Sequence, residues 1–210
     1  MSIVAFAVVI GACAAPAGSF APSTRDSGSS TSPTEPPIGA RTATPTDEGA
    51  TTTASPASPV PVLDRPWALA ELVDVETGER FRIADLVGRP IIIETIAIWC
   101  TNCKAQQRHV YEALATLGDD AVSYVLIDVE PNETAAALAD YRTANGFTGT
   151  YAVADAGLAR SLADEFGDQV LNPPSTPMVV IGSDGRVTLT PFGQQKSAEE
   201  VVALAREHGA

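Results

Sequence analysis

Cysteine and histidine are both scarce in this chain, which has three cysteines and two histidines among 210 residues. One close cysteine pair with a distant third cannot provide the disulfide cross-links that would hold a chain of this length together. A small protein stabilised mainly by disulfides is therefore excluded. A four-cysteine zinc site is excluded by the same count. Lysine and arginine number 13 against 26 acidic residues, which gives a net charge of −13. Because no basic patch appears, we do not expect nucleic acid as a partner.

The chain also lacks an apolar run of the roughly 20 residues that cross a bilayer as a helix. Residues 1–12 are almost wholly apolar and are followed by Cys13. This short run predicts a signal peptide over residues 1–13 and therefore an exported protein. The Ile10-Gly11-Ala12-Cys13 ending resembles the lipobox of bacterial lipoproteins. That resemblance implies lipidation of Cys13 and a membrane anchor at the outer face of the cell membrane or in the periplasm; an ordinary signal peptide with a bystander cysteine is the alternative.

Residues 14–61 are rich in serine, threonine and proline and have almost no large apolar side chains. Nothing in such a segment offsets the entropy that ordering would cost. The composition predicts a disordered linker, with the folded domain at residues 62–210.

The folded part alternates strand and helix patterns, ending with a hairpin and a helix. This order predicts an α/β domain, a mixed sheet flanked by helices, with an N-terminal hairpin and a central helix–strand insertion. The predicted strands are Trp67–Val73, Glu79–Ile83, Ile91–Ile98, Val122–Val129, Tyr151–Ala154, Met178–Gly182 and Arg186–Pro191, and the predicted helices are Asn102–Leu117, Glu133–Asn145, Gly157–Phe166 and Ser197–His208.

A Cys-x-x-Cys motif, Cys100-Thr101-Asn102-Cys103, directly follows the third predicted strand and opens a helix. Free amides and the positive end of the helix dipole stabilise a thiolate at that position, and a thiolate is the species that attacks disulfides. We expect Cys100 to be the more exposed nucleophile and Cys103 to resolve the mixed disulfide. A structural disulfide or a metal pair is the alternative.

Glu94 interrupts an otherwise apolar strand. A lone buried carboxylate is costly when ionised, so its pKa should be raised. It is then a candidate to take the Cys103 proton through a water molecule. The alternative is that Glu94 points outward at a sheet edge.

Five features together resemble the thioredoxin-like superfamily, in particular its extracytoplasmic TlpA/ResA-type branch. They are Trp99-Cys100-x-x-Cys103-Lys104 at the strand–helix junction, Glu94 six residues before Cys100, Ser175-Thr176-Pro177 before an apolar strand, the hairpin before the strand that leads to the cysteines, and the helix–strand insertion at about Glu133–Phe166. The resemblance covers about residues 62–208. It implies a thiol–disulfide oxidoreductase whose only redox group is the Cys100–Cys103 pair, with no cofactor and no metal.

The resemblance also implies roles for the residues around the cysteines. Pro177 is expected to follow a cis peptide bond and Thr176 to offer backbone hydrogen bonds to a substrate chain. Trp99 is expected to cover one side of the site and contact substrate, with simple core packing as its alternative. Thr101 and Asn102 are expected to tune the redox potential.

The implied partners are thiols or disulfides of exported proteins, apocytochrome c among them, and the domain is expected to be a monomer. Two other functions stay open. A thioredoxin-like copper carrier would use a longer cysteine spacing and a distal histidine. A peroxiredoxin-type peroxidase would have a Pro-x-x-x-Thr-x-x-Cys context, which is missing here. The direction of electron flow and the electron donor do not follow from the sequence.

Overall fold

The computed structural model describes residues 63–118 and 120–210. The predicted signal peptide at 1–13, the lipidation of Cys13 and the linker at 14–61 lie outside the described residues. Within the described part, no helix has the length and apolar character needed to span a bilayer.

The described chain alternates helices and strands, as the sequence predicts. The helices are α1 (Pro66–Leu69), α2 (Thr101–Leu117), α3 (Ala135–Asn145), α4 (Ala156–Phe166) and α5 (Ala198–Glu207), and the strands are β1 (Leu72–Val73), β2 (Arg80–Phe81), β3 (Ile91–Ile96), β4 (Ser123–Asp128), β5 (Thr150–Val153), β6 (Met178–Ile181) and β7 (Val187–Leu189).

Five strands form one mixed sheet in the order β5-β4-β3-β6-β7, and β1 and β2 form a separate antiparallel pair. In the large sheet β3 is central: it runs parallel to β4 and antiparallel to β6. Every residue of β3 and β4 is buried. Near-continuous apolar runs of this kind are typical of strands covered on both faces.

Helices cover both faces of the sheet. Ile92 and Ile96 of β3 pack in one core with residues of α2, α3 and α5. Ile91 and Ile93 point to the other face and pack with residues of α1 and α4. The predicted mixed sheet flanked by helices is therefore confirmed.

The predicted strand Trp67–Val73 is wrong over most of its length. Pro66 occupies the first turn of α1, where its fixed φ and missing N–H are tolerated, and only Leu72–Val73 is extended. Trp67 and Ala68 are adjacent and both fully buried. A helical turn lets consecutive side chains share one interface, and the Trp67 ring packs 5.4 Å from the ring of Phe166 in α4.

The ends of other elements also differ between the prediction and the structure. The second predicted strand shortens because Ile83 starts a 3-10 turn, Ile83–Leu86. Helix α2 begins at Thr101, with Cys100 as its N-cap. At α5 the predicted Ser197 cap is confirmed. Its hydroxyl accepts from the Glu200 amide and its own amide donates to the Glu200 carboxylate, which completes a capping box.

Replacing Trp67 by alanine is expected to destabilise the domain by about 3–5 kcal/mol, the usual cost of deleting a buried tryptophan side chain. Leu69→Ala is the matched control, since Leu69 lies on the same turn and is 43% exposed. Urea unfolding followed by circular dichroism measures both. Equal stability losses in the two variants would contradict the packing described for α1.

Candidate active site

Cys100 and Cys103 form a disulfide at the N-terminus of α2, with their Cα atoms 5.3 Å apart. Cys100 is the N-cap of the helix, and its Sγ accepts a hydrogen bond from the Cys103 amide at 3.0 Å. A charged Cys100 thiolate would meet that amide and the positive end of the helix dipole. Both favour the thiolate over the thiol.

The expected difference in exposure between the two cysteines is not found. Cys100 is 2% exposed and Cys103 is 1% exposed. As the cap of α2, Cys100 turns its sulfur back onto the first helical turn rather than into solvent, and the disulfide bond holds both sulfurs in the same buried position.

The turn that comes directly before the predicted Thr176–Pro177 segment lies beside the cysteines. A 3-10 turn, Pro173–Ser175, places the Pro173 carbonyl oxygen 3.2 Å from Cys103 Sγ. The Asn102 side chain donates to the Pro174 carbonyl at 3.2 Å. Asn102 and its neighbour Thr101 are exposed on the first turn of α2.

Thr176 and Pro177 follow this turn, and both are buried. Thr176 has φ 45° and ψ 54°, the left-handed region that is unfavourable for a β-branched residue. Its amide donates to the Pro173 carbonyl at 2.9 Å, so this N–H is already engaged within the turn. The cis peptide bond before Pro177 stays a prediction.

A second loop, which contains Gln195 and Lys196, is hydrogen-bonded to α2 close to the cysteines. Gln106 is fully buried and exchanges two hydrogen bonds with the backbone of Lys196, at 2.6 and 3.2 Å. Gln195 donates to the Asn102 carbonyl at 3.0 Å. Gln106 was not singled out from the sequence, because a glutamine on an otherwise mixed helix face gives no distinctive pattern.

Trp99 is 56% exposed, so the core-packing alternative for this side chain does not hold. Its indole N–H donates to Glu130 Oε2 at 3.2 Å, and the neighbouring Ile98 amide donates to Glu133 Oε2 at 2.7 Å. Two carboxylates from the β4–α3 connection thus hold the loop that leads into the cysteine pair.

Asp128, at the end of β4, is the third acid of this group and is fully buried. Burial, and after it the neighbouring Glu133 carboxyl group, raise the pKa of Asp128 from 3.8 to about 8. None of the three acids Asp128, Glu130 and Glu133 was predicted from the sequence. The available signal was an aspartate inside the apolar run of β4, which is the same signal that singled out Glu94.

Glu94 is buried on the central strand, so the alternative of an outward position at a sheet edge is excluded. It alternates with Ile92 and Ile96 and therefore faces the same core as the cysteines. Burial raises the pKa of Glu94 from 4.5 to about 8, and the nearby Tyr124 hydroxyl offsets part of that rise. The expected direction of the pKa shift is confirmed, and no direct hydrogen bond joins Glu94 to Cys103 in the described structure.

Neither histidine makes a hydrogen bond to the cysteine pair within the described residues. His109 contacts the Lys196 carbonyl at 2.9 Å, and buried His208 bonds the hydroxyl of Thr188 at 3.0 Å. Across residues 63–118 and 120–210, no three His, Cys, Asp or Glu side chains are grouped as a metal site.

Comparison with solved structures identifies the fold. A thiol:disulfide interchange protein of the thioredoxin family from Chlorobium tepidum TLS superposes with a TM-score of 0.56 at 20% identity, covering 73% of this chain and 99% of that chain. A secreted Mycobacterium tuberculosis disulfide oxidoreductase homologous to E. coli DsbE gives 0.51 at 19% identity, covering 67% and 97%. The M. tuberculosis protein dsbF gives 0.51 at 16% identity, covering 68% and 96%.

This chain therefore has a thioredoxin-like fold, with its cysteine pair at the start of the first long helix. No protein-family model matches the sequence. No curated protein matches it either.

Glu94→Gln is expected to reduce the slope with which the free energy of unfolding changes with pH. Because folding raises the pKa of Glu94 from 4.5 to about 8, the native state holds this proton more tightly than the unfolded chain. The free energy of unfolding then falls as pH rises between those values, by at most ~5 kcal/mol at ~1.4 kcal/mol per pKa unit. Denaturant titrations of the oxidised protein at several pH values measure the slope. The exposed Glu79→Gln is the control, and an unchanged slope in Glu94→Gln would contradict the assignment.

Glu133→Gln is expected to lower the pKa of Asp128, because it removes a neighbouring carboxyl group and its negative charge. The pKa should stay above the ordinary aspartate value, since burial is the larger cause. Glu130→Gln is the control and should give a smaller change. Carboxyl ¹³C chemical shifts followed against pH report the value for Asp128. A larger effect from Glu130→Gln would reverse the roles given to the two glutamates.

Proposed function

We propose that this protein is an extracytoplasmic thiol–disulfide oxidoreductase that exchanges its Cys100–Cys103 pair with partner proteins. The observation that carries the proposal is the Cys103 amide, 3.0 Å from Cys100 Sγ at the helix N-terminus. A structural disulfide needs no such thiolate-stabilising position. The extracytoplasmic location is supported by the signal-like residues 1–13 and the linker at 14–61.

The exchange proceeds in two balanced steps when the protein oxidises a partner. A partner thiolate attacks Cys100 Sγ, the Cys100–Cys103 bond breaks, and Cys103 leaves as a thiolate that takes a proton. A second partner thiolate then attacks the partner sulfur of the mixed disulfide, which releases Cys100 as a thiolate and leaves the partner with its own disulfide. The same steps in reverse reduce a partner, with Cys103 releasing it.

Glu94 is the proposed proton donor and acceptor for Cys103. Its pKa of about 8 lies near the pH at which thiols exchange, so the carboxyl group can both give and take a proton. Since no direct hydrogen bond links it to Cys103, the transfer passes through a water molecule, as the sequence analysis expects.

The partner chain is proposed to bind across Trp99 and the Thr176–Pro177 segment. The exposed indole offers an apolar surface whose orientation is held by Glu130. The Thr176 amide is already bonded to Pro173, so the Thr176 carbonyl is the group left to accept a hydrogen bond from an extended substrate backbone. Thr101 and Asn102 lie between the cysteines and are proposed to tune the potential.

Burial of both sulfurs has a mechanistic consequence. Because neither cysteine is more than 2% exposed, a partner thiolate reaches Cys100 only after a neighbouring segment moves. The contacts of Asn102 with Pro174 and Gln195 join the two segments beside the disulfide. We propose that partner binding separates these contacts, and that exported thiol proteins such as apocytochrome c are the partners.

The anchoring at the membrane is proposed on the sequence alone. A lipid on Cys13 would leave the domain on a tether formed by residues 14–61, free to meet exported partners near the membrane surface. The domain itself is proposed to act as a monomer and to need no cofactor beyond its cysteine pair.

Serine replacement of either Cys100 or Cys103 is expected to slow reduction of insulin disulfides, with dithiothreitol as donor, by at least ~10-fold, since each cysteine has a separate step. Cys13→Ser is the matched control and should keep the wild-type rate. Turbidity from precipitated insulin B chain reports the reaction. A wild-type rate in either variant of the pair would refute the proposed function.

A further inference from the structure

All four tyrosines of the chain lie around Glu94, between the sheet and the helices that cover it. Tyr111 comes from α2, Tyr124 from β4, Tyr141 from α3 and Tyr151 from β5. They are far apart in the sequence, and the proposed mechanism assigns none of them a role.

Three of the four hydroxyl groups have clear partners. Tyr151 donates to Gln107 Oε1 at 2.6 Å, and Gln107 Nε2 donates to the Tyr141 hydroxyl at 3.3 Å. The Tyr111 hydroxyl donates to the Thr148 carbonyl. These bonds satisfy the polar groups between α2, α3 and β5 without involving Glu94.

The Tyr124 hydroxyl and Glu94 Oε1 are the two polar atoms left over in this cluster. Both are buried, and neither makes a hydrogen bond within the described residues, to the other or to any third group. The strand register pairs Tyr124 with Ile92 and Leu126 with Glu94. Tyr124 is therefore the diagonal neighbour of Glu94 on the same face of the sheet, within reach of a long side chain.

The Tyr124 ring is also held in place. It meets the Tyr111 ring edge to face with centroids 5.5 Å apart. Tyr111 in turn lies two i, i+4 steps along α2 from Cys103, with Gln107 between them on the same row. One polar row of α2 thus runs from the cysteine pair to the ring that supports Tyr124.

Resting on the proposed function, we propose that Tyr124 is a positioning residue that donates its phenolic hydrogen bond to Glu94 and so sets when this carboxyl group exchanges its proton with Cys103. When the disulfide opens, Cys103 leaves as a thiolate and the Glu94 carboxylic acid supplies a proton through water. The Tyr124 O–H stays neutral and stabilises the carboxylate that this transfer creates.

The other groups that face Glu94 cannot take this role. The hydroxyl groups of Tyr111, Tyr141 and Tyr151 already have other hydrogen-bond partners. Met178 on β6, opposite Glu94, has no ionisable group. Arg108, Arg142 and Glu133 act on the tyrosines electrostatically, and Arg142 is paired with Glu76.

Tyr124→Phe tests the proposal, because it removes the hydroxyl and keeps the ring. The titration midpoint of Glu94 is expected to move to higher pH by about one unit, a roughly tenfold loss of acidity from a lost hydrogen bond to a charged group. Carboxyl ¹³C shifts of the oxidised full-length chain follow the midpoint. The pH profile of insulin reduction should move in the same direction.

Tyr141→Phe is the matched control, since it deletes a buried hydroxyl of the same cluster that bonds Gln107 instead of Glu94. Its midpoint should equal that of the wild type. An unchanged midpoint in Tyr124→Phe, or equal shifts in both variants, would overturn the proposal while the exchange activity of the wild type stands. If the wild type showed no thiol–disulfide exchange while Tyr124→Phe still shifted the Glu94 midpoint, the proposed function would be refuted and the hydrogen bond would remain supported.

A second measurement does not depend on the folding of Tyr124→Phe. In wild-type protein labelled with [¹³Cζ]tyrosine, the Tyr124 resonance is expected to titrate with the Glu94 midpoint of about 8. In Glu94→Gln that titration should disappear. A Tyr124 resonance that is constant in the wild type over this range, or that titrates equally in both proteins, would overturn the proposal.

Discussion

The junction between β3 and α2 is the constraint on which the rest of the site depends. A strand buried on both faces ends at Ile96, and Cys100 caps the helix that follows. The cap places a sulfur where a free amide and the helix dipole both favour negative charge. Two opposing effects meet there, because the same burial that orders the disulfide disfavours a thiolate. For the proposed chemistry, the amide and the dipole must stabilise the Cys100 thiolate by more than burial destabilises it, because the surrounding groups can act only once a thiolate forms.

Two buried carboxyl groups flank this junction and differ in their surroundings. Glu94 lies in the middle of β3, on the side of the core that holds the cysteines, with a tyrosine hydroxyl beside it. Asp128 ends β4 and has Glu133 as its neighbour. In both, burial is the main cause of a pKa raised to about 8. We propose that the first handles a proton in the sulfur chemistry. The second belongs to a group of acids that holds Ile98 and Trp99, and therefore the loop that delivers Cys100.

The strongly patterned parts of the fold could be predicted from the sequence. The apolar runs of β3 and β4, the helix after Cys100 and the Ser197 cap each carry a local signal that tertiary contacts do not override. The local signal of the Trp67 segment was misleading, because its apolar run after Pro66 is typical of a strand. The packing of Trp67 against Phe166, which accompanies the helical turn, cannot be read from the sequence. The tyrosine cluster and the Asp128 group could not be found in this way. Their members come from separate elements, and only the packing of α2, α3, β4 and β5 brings them together.

The most direct test of the central claim is the acidity of Cys100 itself. A full-length variant with Cys13 and Cys103 replaced by serine has a single thiol, whose rate of alkylation by iodoacetamide can be followed against pH. We expect a midpoint well below ~8.5, the value of an unperturbed cysteine thiol, because the helix N-terminus stabilises the thiolate. A midpoint at or above that value would show that burial prevails over the helix, and would contradict the account.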